Sequence, residues 1–132
     1  MLSNVLAGII HRAGVGLTLG ENLFAEHAKG NQTVVVKVND QRRLTDSLPV
    51  RQARVQVIVR GWLHTDGYIL AEKITKALEA VVEQDYTYED EGYHIYNMAA
   101  LNLPIAIRDG KDVAFSLNFE TFFRMALDNE TI

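Results

Sequence analysis

The 132-residue sequence predicts an α+β fold: an antiparallel or mixed β-sheet of about four strands with two helices packed on one face, in the order α-β-β-α-β-β. Three observations carry this. In Arg54–Gly61, Val55, Val57 and Val59 alternate with Gln56 and Arg60, the period of a strand with one buried face. Directly after Gly61 the apolar period lengthens to about 3.6, with Leu70, Ala71, Ile74, Ala77, Leu78, Val81 and Val82 on one helical face. Near the end, Val113, Phe115, Leu117, Phe119 and Thr121 share one strand face, and Ala114, Ser116, Asn118 and Glu120 share the other. One wet and one dry face is the pattern of an antiparallel sheet covered on a single side.

Taken in order, Leu2, Val5, Leu6, Ile9, Ile10 and Ala13 form the apolar stripe of a helix over residues 3–13, which Ser3 or Asn4 can cap and Gly14 can end. Val15–Phe24 reads as an extended segment or short edge strand, followed by a loop over Glu26–Asn31. Thr33–Val38 is rich in β-branched residues and predicts a strand. Asn39–Gln52 exceeds the two to five residues of a tight hairpin and reads as a long polar loop, a first candidate for function. Thr65 or Asp66 caps the second helix, which should reach about Glu83. Gln84–Gly92 is an acidic connection, and Tyr93–Asn102 a strand. Pro104 marks a bulge or an edge position. Leu103–Ile107 and Val113–Phe123 flank Arg108–Asp112, whose Asp-Gly pair is a hairpin signal.

Length and a hydrophobic fraction of 48% fit one domain with its own core. No apolar run approaches the roughly 18 residues of a membrane span, and the amino terminus lacks the basic region and long apolar core of a signal peptide. With no cysteine, disulfides and thiolate metal sites are excluded. A net charge of -4 argues against a general nucleic-acid binder, which needs clustered Lys and Arg. The densest basic group is Arg42 and Arg43 with Arg51 and Arg54.

No motif rises to catalysis. Gly14-x-Gly16-x-x-x-Gly20 follows a helix, and it lacks the spacing of a dinucleotide fingerprint. His11, His27, His64 and His94 show no metal-ligand spacing. Asp85, Glu89, Asp90 and Glu91 form the sharpest charge cluster, but lack the oxygen-ligand pattern and central glycine of a calcium loop. A solvated loop or a subunit contact accounts for them better than a general acid/base pair, which needs a cleft that raises one pKa. No nucleophile elbow, cysteine nucleophile or phosphate loop is present, so neither an enzyme nor a cofactor is expected.

Two segments together carry a resemblance. The first is Gly16-Leu-Thr-Leu-Gly-Glu-Asn-Leu-Phe-Ala-Glu-His27, after an amphipathic helix. The second is Leu48-Pro-Val-Arg-Gln-Ala-Arg-Val-Gln-Val-Ile-Val-Arg-Gly61, running into Gly67–Leu78 and completed by a late strand, Val113–Glu120. In this order the chain resembles the minor capsid or tail terminator (tail completion) proteins of long-tailed bacteriophages. Those relatives often carry a Pro-rich turn and a Gly-Gly where this chain has Glu26–Asn31 and Asn39–Arg43. The resemblance implies a virion protein of the tail or neck, assembled in the host cytoplasm. It would form a homo-oligomeric ring, typically a hexamer, that caps the head-proximal end of the tail tube, with the tube protein and a head-completion or connector protein as partners. DNA would pass only as cargo, which an acidic balance suits. A head-tail connector or stopper, and a small α+β binding module, are the alternative readings. Contacts are expected at Arg42 and Arg43 in the first long loop, at Asp85, Glu89, Asp90 and Glu91, and at Arg108, Asp109 and Lys111 in the late turn.

Overall fold

The computed structural model describes residues 1–45, 47–109 and 112–126. Among these, α1 (Leu2–Arg12), β1 (Leu23–Ala25), β2 (Thr33–Arg43), β3 (Arg51–Arg60), α2 (His64–Glu79), β4 (Val82–Tyr88), β5 (Glu91–Ala100), β6 (Ile105–Asp109) and β7 (Asp112–Met125) follow in sequence.

The alternation in Val113–Thr121 produces the strand on which the sheet is built. β7 pairs antiparallel with β3 along one side, from Val59↔Phe115 to Arg51↔Phe123. Its other side is shared: β5 covers Phe119–Met125 and β6 covers Asp112–Ser116. The order is β1-β2-β3-β7-β5-β4, with β6 beside β7 and β1 parallel to β2, which makes the sheet mixed. α1 packs against β1 and β2 at one end of the sheet and also against β4 at the other. The sheet therefore curls around this helix, and α2 lies beside it over β3, β7 and β5.

The core sits between the helices and the concave face. Leu2, Leu6 and Ile10 of α1 and Ile74 and Leu78 of α2 are buried with Val34, Val36, Val55, Val57, Ile95, Leu117, Phe119 and Phe123 of the sheet. This burial of alternate strand residues and one stripe on each helix is the main stabilising term. The opposite sheet face carries a polar ladder. Gln56 Nε2 donates to Ser116 Oγ at 3.0 Å, Gln52 Nε2 to Glu120 Oε2 at 2.7 Å, and Arg54 Nε lies 3.7 Å from the same carboxylate oxygen.

The fold differs from the four-strand, α-β-β-α-β-β expectation in three places. α2 stops at Glu79 rather than Glu83, and Val82–Tyr88, expected as helix end and acidic connection, forms edge strand β4. An edge strand keeps one side unpaired, so β4 tolerates Glu83, Asp85 and an exposed Val82 without showing a clean strand period. The polar stretch Asn39–Gln52 is mostly a continuation of β2 and β3, which pair out to Arg43↔Arg51 past a bulge at Asp40, where φ is 53°. Both faces of that extension meet solvent, so no alternation marked it. β1 and β6 raise the strand count to seven among the described residues, β1 at the end of the stretch read as a possible edge strand and β6 as the antiparallel partner that Leu103–Ile107 was expected to supply. The helix caps also differ: α1 starts after Met1 and α2 after Leu63, neither with a side-chain capping bond. Gly14 does adopt a left-handed φ of 73° just past α1.

Candidate assembly surfaces

The expected contact residues fall on three separate surfaces. Beyond Val38, β2 and β3 continue to Arg43↔Arg51, with β3 still paired to β7 on its other side, and form an arm whose described residues 39–45, with Ser47 and Leu48, are all exposed. Arg42 and Arg43 lie on its shank. Arg42 donates through Nε and Nη2 to Gln52 Oε1 at 3.3 and 3.0 Å, and Gln52 passes the chain of bonds on to Glu120. Arg42 is thus tied to the sheet's polar ladder rather than loosely solvated.

The acidic residues belong to the β4–β5 hairpin. Asp85 is on β4, Glu89 and Asp90 make its two-residue turn between Tyr88 and Glu91, and Glu89 takes the left-handed φ of 53° that closes it. Glu91 accepts from the terminal amino group of Met1 at 2.6 Å and from Tyr93 Oη at 3.1 Å. The amino-terminal bond, then the Tyr93 bond, hold the Glu91 carboxyl below its ordinary pKa against a desolvation that raises it. Burial and the Glu91 carboxylate push the Tyr93 phenol upward.

Sequence spacing gave no sign of the group at the centre of this hairpin. His94, on β5, stands between two β4 carboxylates: Nδ1 lies 2.7 Å from Asp85 Oδ1, and Nε2 lies 3.0 Å from Glu83 Oε2. Both ring nitrogens donate at once only in the imidazolium form. Its pKa is accordingly raised, first by the Asp85 bond and then by Glu83, against desolvation and the Arg124 guanidinium. The Tyr96 ring stacks edge-on at 4.7 Å. Among the described residues no cluster of three His, Asp or Glu could hold a metal ion.

Arg108 is exposed on β6, opposite Val113. Asp109 pairs with Asp112 through the backbone, and Lys111 lies outside the described residues. The acidic hairpin and the basic arm sit on opposite sides of β7 and do not form one site.

A fourth surface was missed by sequence reasoning. Leu101, Leu103, Ile105 and Ile107 recur at every second residue, a spacing that reads as a buried face. In the fold they are exposed at 44%, 79%, 46% and 42%. β6 is an edge strand, and neither helix covers this flank of it. Leu101–Pro104 runs past α2, leaving an open groove of about 460 Å³ lined by Glu72, Thr75, Lys76 and Glu79 on the helix side. The two other edges are guarded. β4 carries charge and a left-handed Glu83, and β1 is three residues long, with its first residue, Leu23, already bridged to Leu19.

A scan against protein-family models found no match, and a search of curated proteins found none. The solved structures do supply a likeness. The chain is similar to a protein of the "Virion of native gene transfer agent (GTA) particle". The TM-score is 0.59 at 15% sequence identity, covering 92% of this chain and 96% of the other. The two proteins therefore share a fold along nearly their whole lengths.

Proposed function

We propose that the chain is a virion structural protein of the tail-terminator kind. Copies close into a ring, expected to be a hexamer, on the head-proximal end of the tail tube. The ring ends tube polymerisation and offers the face on which a head-completion or connector protein docks. The observation that carries this reading is the fold shared over 92% of the chain with a component of a virion particle. It agrees with the ordered segments that resemble tail terminators.

The surfaces support the same reading. A ring needs a heterologous interface, in which two different patches of one chain meet around an axis until the circle closes. This chain has a projecting arm on one side of β7 and an unguarded apolar flank on the other. The role is structural rather than catalytic, the site of action is the tail or neck of the particle assembled in the host cytoplasm, and DNA passes without specific binding.

Light scattering on the purified chain at several concentrations, with electron microscopy beside tail-tube protein, tests the proposal. The expected result is a ring, free or seated on tube ends, with tube growth stopped. A strict monomer that forms no ring even beside tubes rejects it.

A further inference from the structure

We propose that the β2–β3 arm of one copy docks into the groove between α2 and Leu101–Pro104 of the next, so that each chain carries both halves of a head-to-tail interface. This rests on the ring-forming reading above and names the surfaces that close the ring.

Shape and polarity match. The arm ends in Leu44 and Leu48, exposed at 44% and 51%. A hairpin tip that holds two leucines in water is a ready anchor for an apolar recess. The groove offers Leu101 and Leu103, and its 460 Å³ accommodates several aliphatic side chains. Charge matches as well. Arg42, Arg43 and Arg51 outweigh Asp40 among the described residues of the arm, whereas Glu72 and Glu79 outweigh Lys76 on the groove wall. Complementary charge at the rim of an apolar contact sets register and speeds encounter.

Position selects a second copy as the occupant. The tip of the arm lies past the Arg51↔Phe123 pair on the β3 side of β7, and the groove lies on the β5 and β6 side. Arm residue Arg51 is level with Phe123, whereas Leu101 N–H bonds to Asn118 O at 2.8 Å. That is an offset of five residues, roughly 17 Å along β7 at strand rise. The arm points past Phe123, away from Asn118, so no chain can fill its own groove. Two unlike patches on opposite flanks generate a ring or an open filament rather than a two-fold dimer.

The absence of native cysteine makes the test direct. Leu48→Cys and Leu103→Cys chains are mixed under mild oxidation, with Leu48→Cys plus Glu21→Cys as the control pair. The expected product is a 48–103 disulfide heterodimer, identified by mass spectrometry and at least about tenfold more abundant than the control product. Leu48→Asp and Leu103→Asp change only exposed side chains. Each alone should fail to self-associate, and their mixture should stop at a one-to-one dimer, because one functional arm and one functional groove remain. If the 48–103 product does not exceed the control, the proposal is overturned. If both Asp variants form rings like the parent, the interface is wrong while the ring reading stands. If they lose only attachment to tail-tube protein, the surfaces belong to that partner instead, which also overturns the proposal. If the mixed dimer forms but the parent never caps a tube, the interface holds and the terminator reading falls.

Discussion

At the scale of single residues, backbone conformation and charge pairing dominate. Gly61 joins β3 to α2 with φ of 91°, and a Cβ there would overlap the Asn31 carbonyl oxygen and lie 2.7 Å from Gln32 Cα. Gly14 is also left-handed, at 73°, but a Cβ there meets nothing within 4 Å. Left-handed strain alone costs about 1–3 kcal/mol for a non-glycine residue, and backbone overlap adds to it. Gly61→Ala is therefore expected to lower stability by about 2–4 kcal/mol, a large share of a typical 5–15 kcal/mol, and clearly more than Gly14→Ala. Thermal unfolding of the two variants side by side checks the order. His94 gives a second test. Its folded-state pKa lies above the unfolded value of about 6.5, so its stabilising contribution is complete below that value and disappears as pH rises through the raised one. Asp85, Glu83, Arg124 and the Tyr96 ring are the groups facing it. The difference in melting temperature between the parent and His94→Gln should be largest near pH 6 and shrink toward alkaline pH. An NMR titration should place the His94 midpoint above 6.5, and Asp85→Asn should bring it down.

At the scale of elements, the strongest expectation concerns the core strip of β3 and its helix. Val57 and Ile74 are fully buried on facing elements of one cluster. An unpaired carboxylate there costs several kcal/mol, roughly, because no partner or water replaces its hydration. Val57→Asp and Ile74→Asp should each abolish the cooperative unfolding transition seen by circular dichroism at ordinary temperature. These elements were legible because burial on one side forces an apolar period, two for β3 and 3.6 for α2. β4 was not legible. Its outer side has no strand to satisfy and its residues meet solvent, so Val82–Glu83 reads as the end of the helix and Gln84–Tyr88 as part of an acidic connection. The arm hid for a related reason: where both faces of a hairpin are wet, paired strands and a polar loop have the same composition.

At the scale of the whole molecule, assembly depends on surfaces whose freedom is a property of the fold. If the proposed ring forms, Arg42→Glu combined with Arg43→Glu should weaken its formation about tenfold or more while leaving the melting temperature within a few degrees, since both residues are exposed. Arg42 is bonded to Gln52, which is bonded to Glu120, so the reversal also brings a carboxylate toward that ladder. A small stability loss from Arg42→Glu that disappears when Gln52 is already replaced by Ala would reveal that link in chemical denaturation. Sedimentation velocity then separates the folding effect from the assembly effect.

The sequence carries the α+β class, both helices to within a few residues and the two central strands, because those segments are buried and burial imposes a period. It located charge at Arg42–Arg43, Asp85–Glu91 and Arg108 without saying which charges already have partners. That His94 sits between Glu83 and Asp85, that the long polar stretch is a paired arm, and that Leu101–Ile107 faces solvent emerge from the folded chain alone. Those facts depend on which elements lie beside which. Exposure of an apolar residue reflects the absence of a covering layer, and a local period carries no record of what the rest of the chain leaves uncovered.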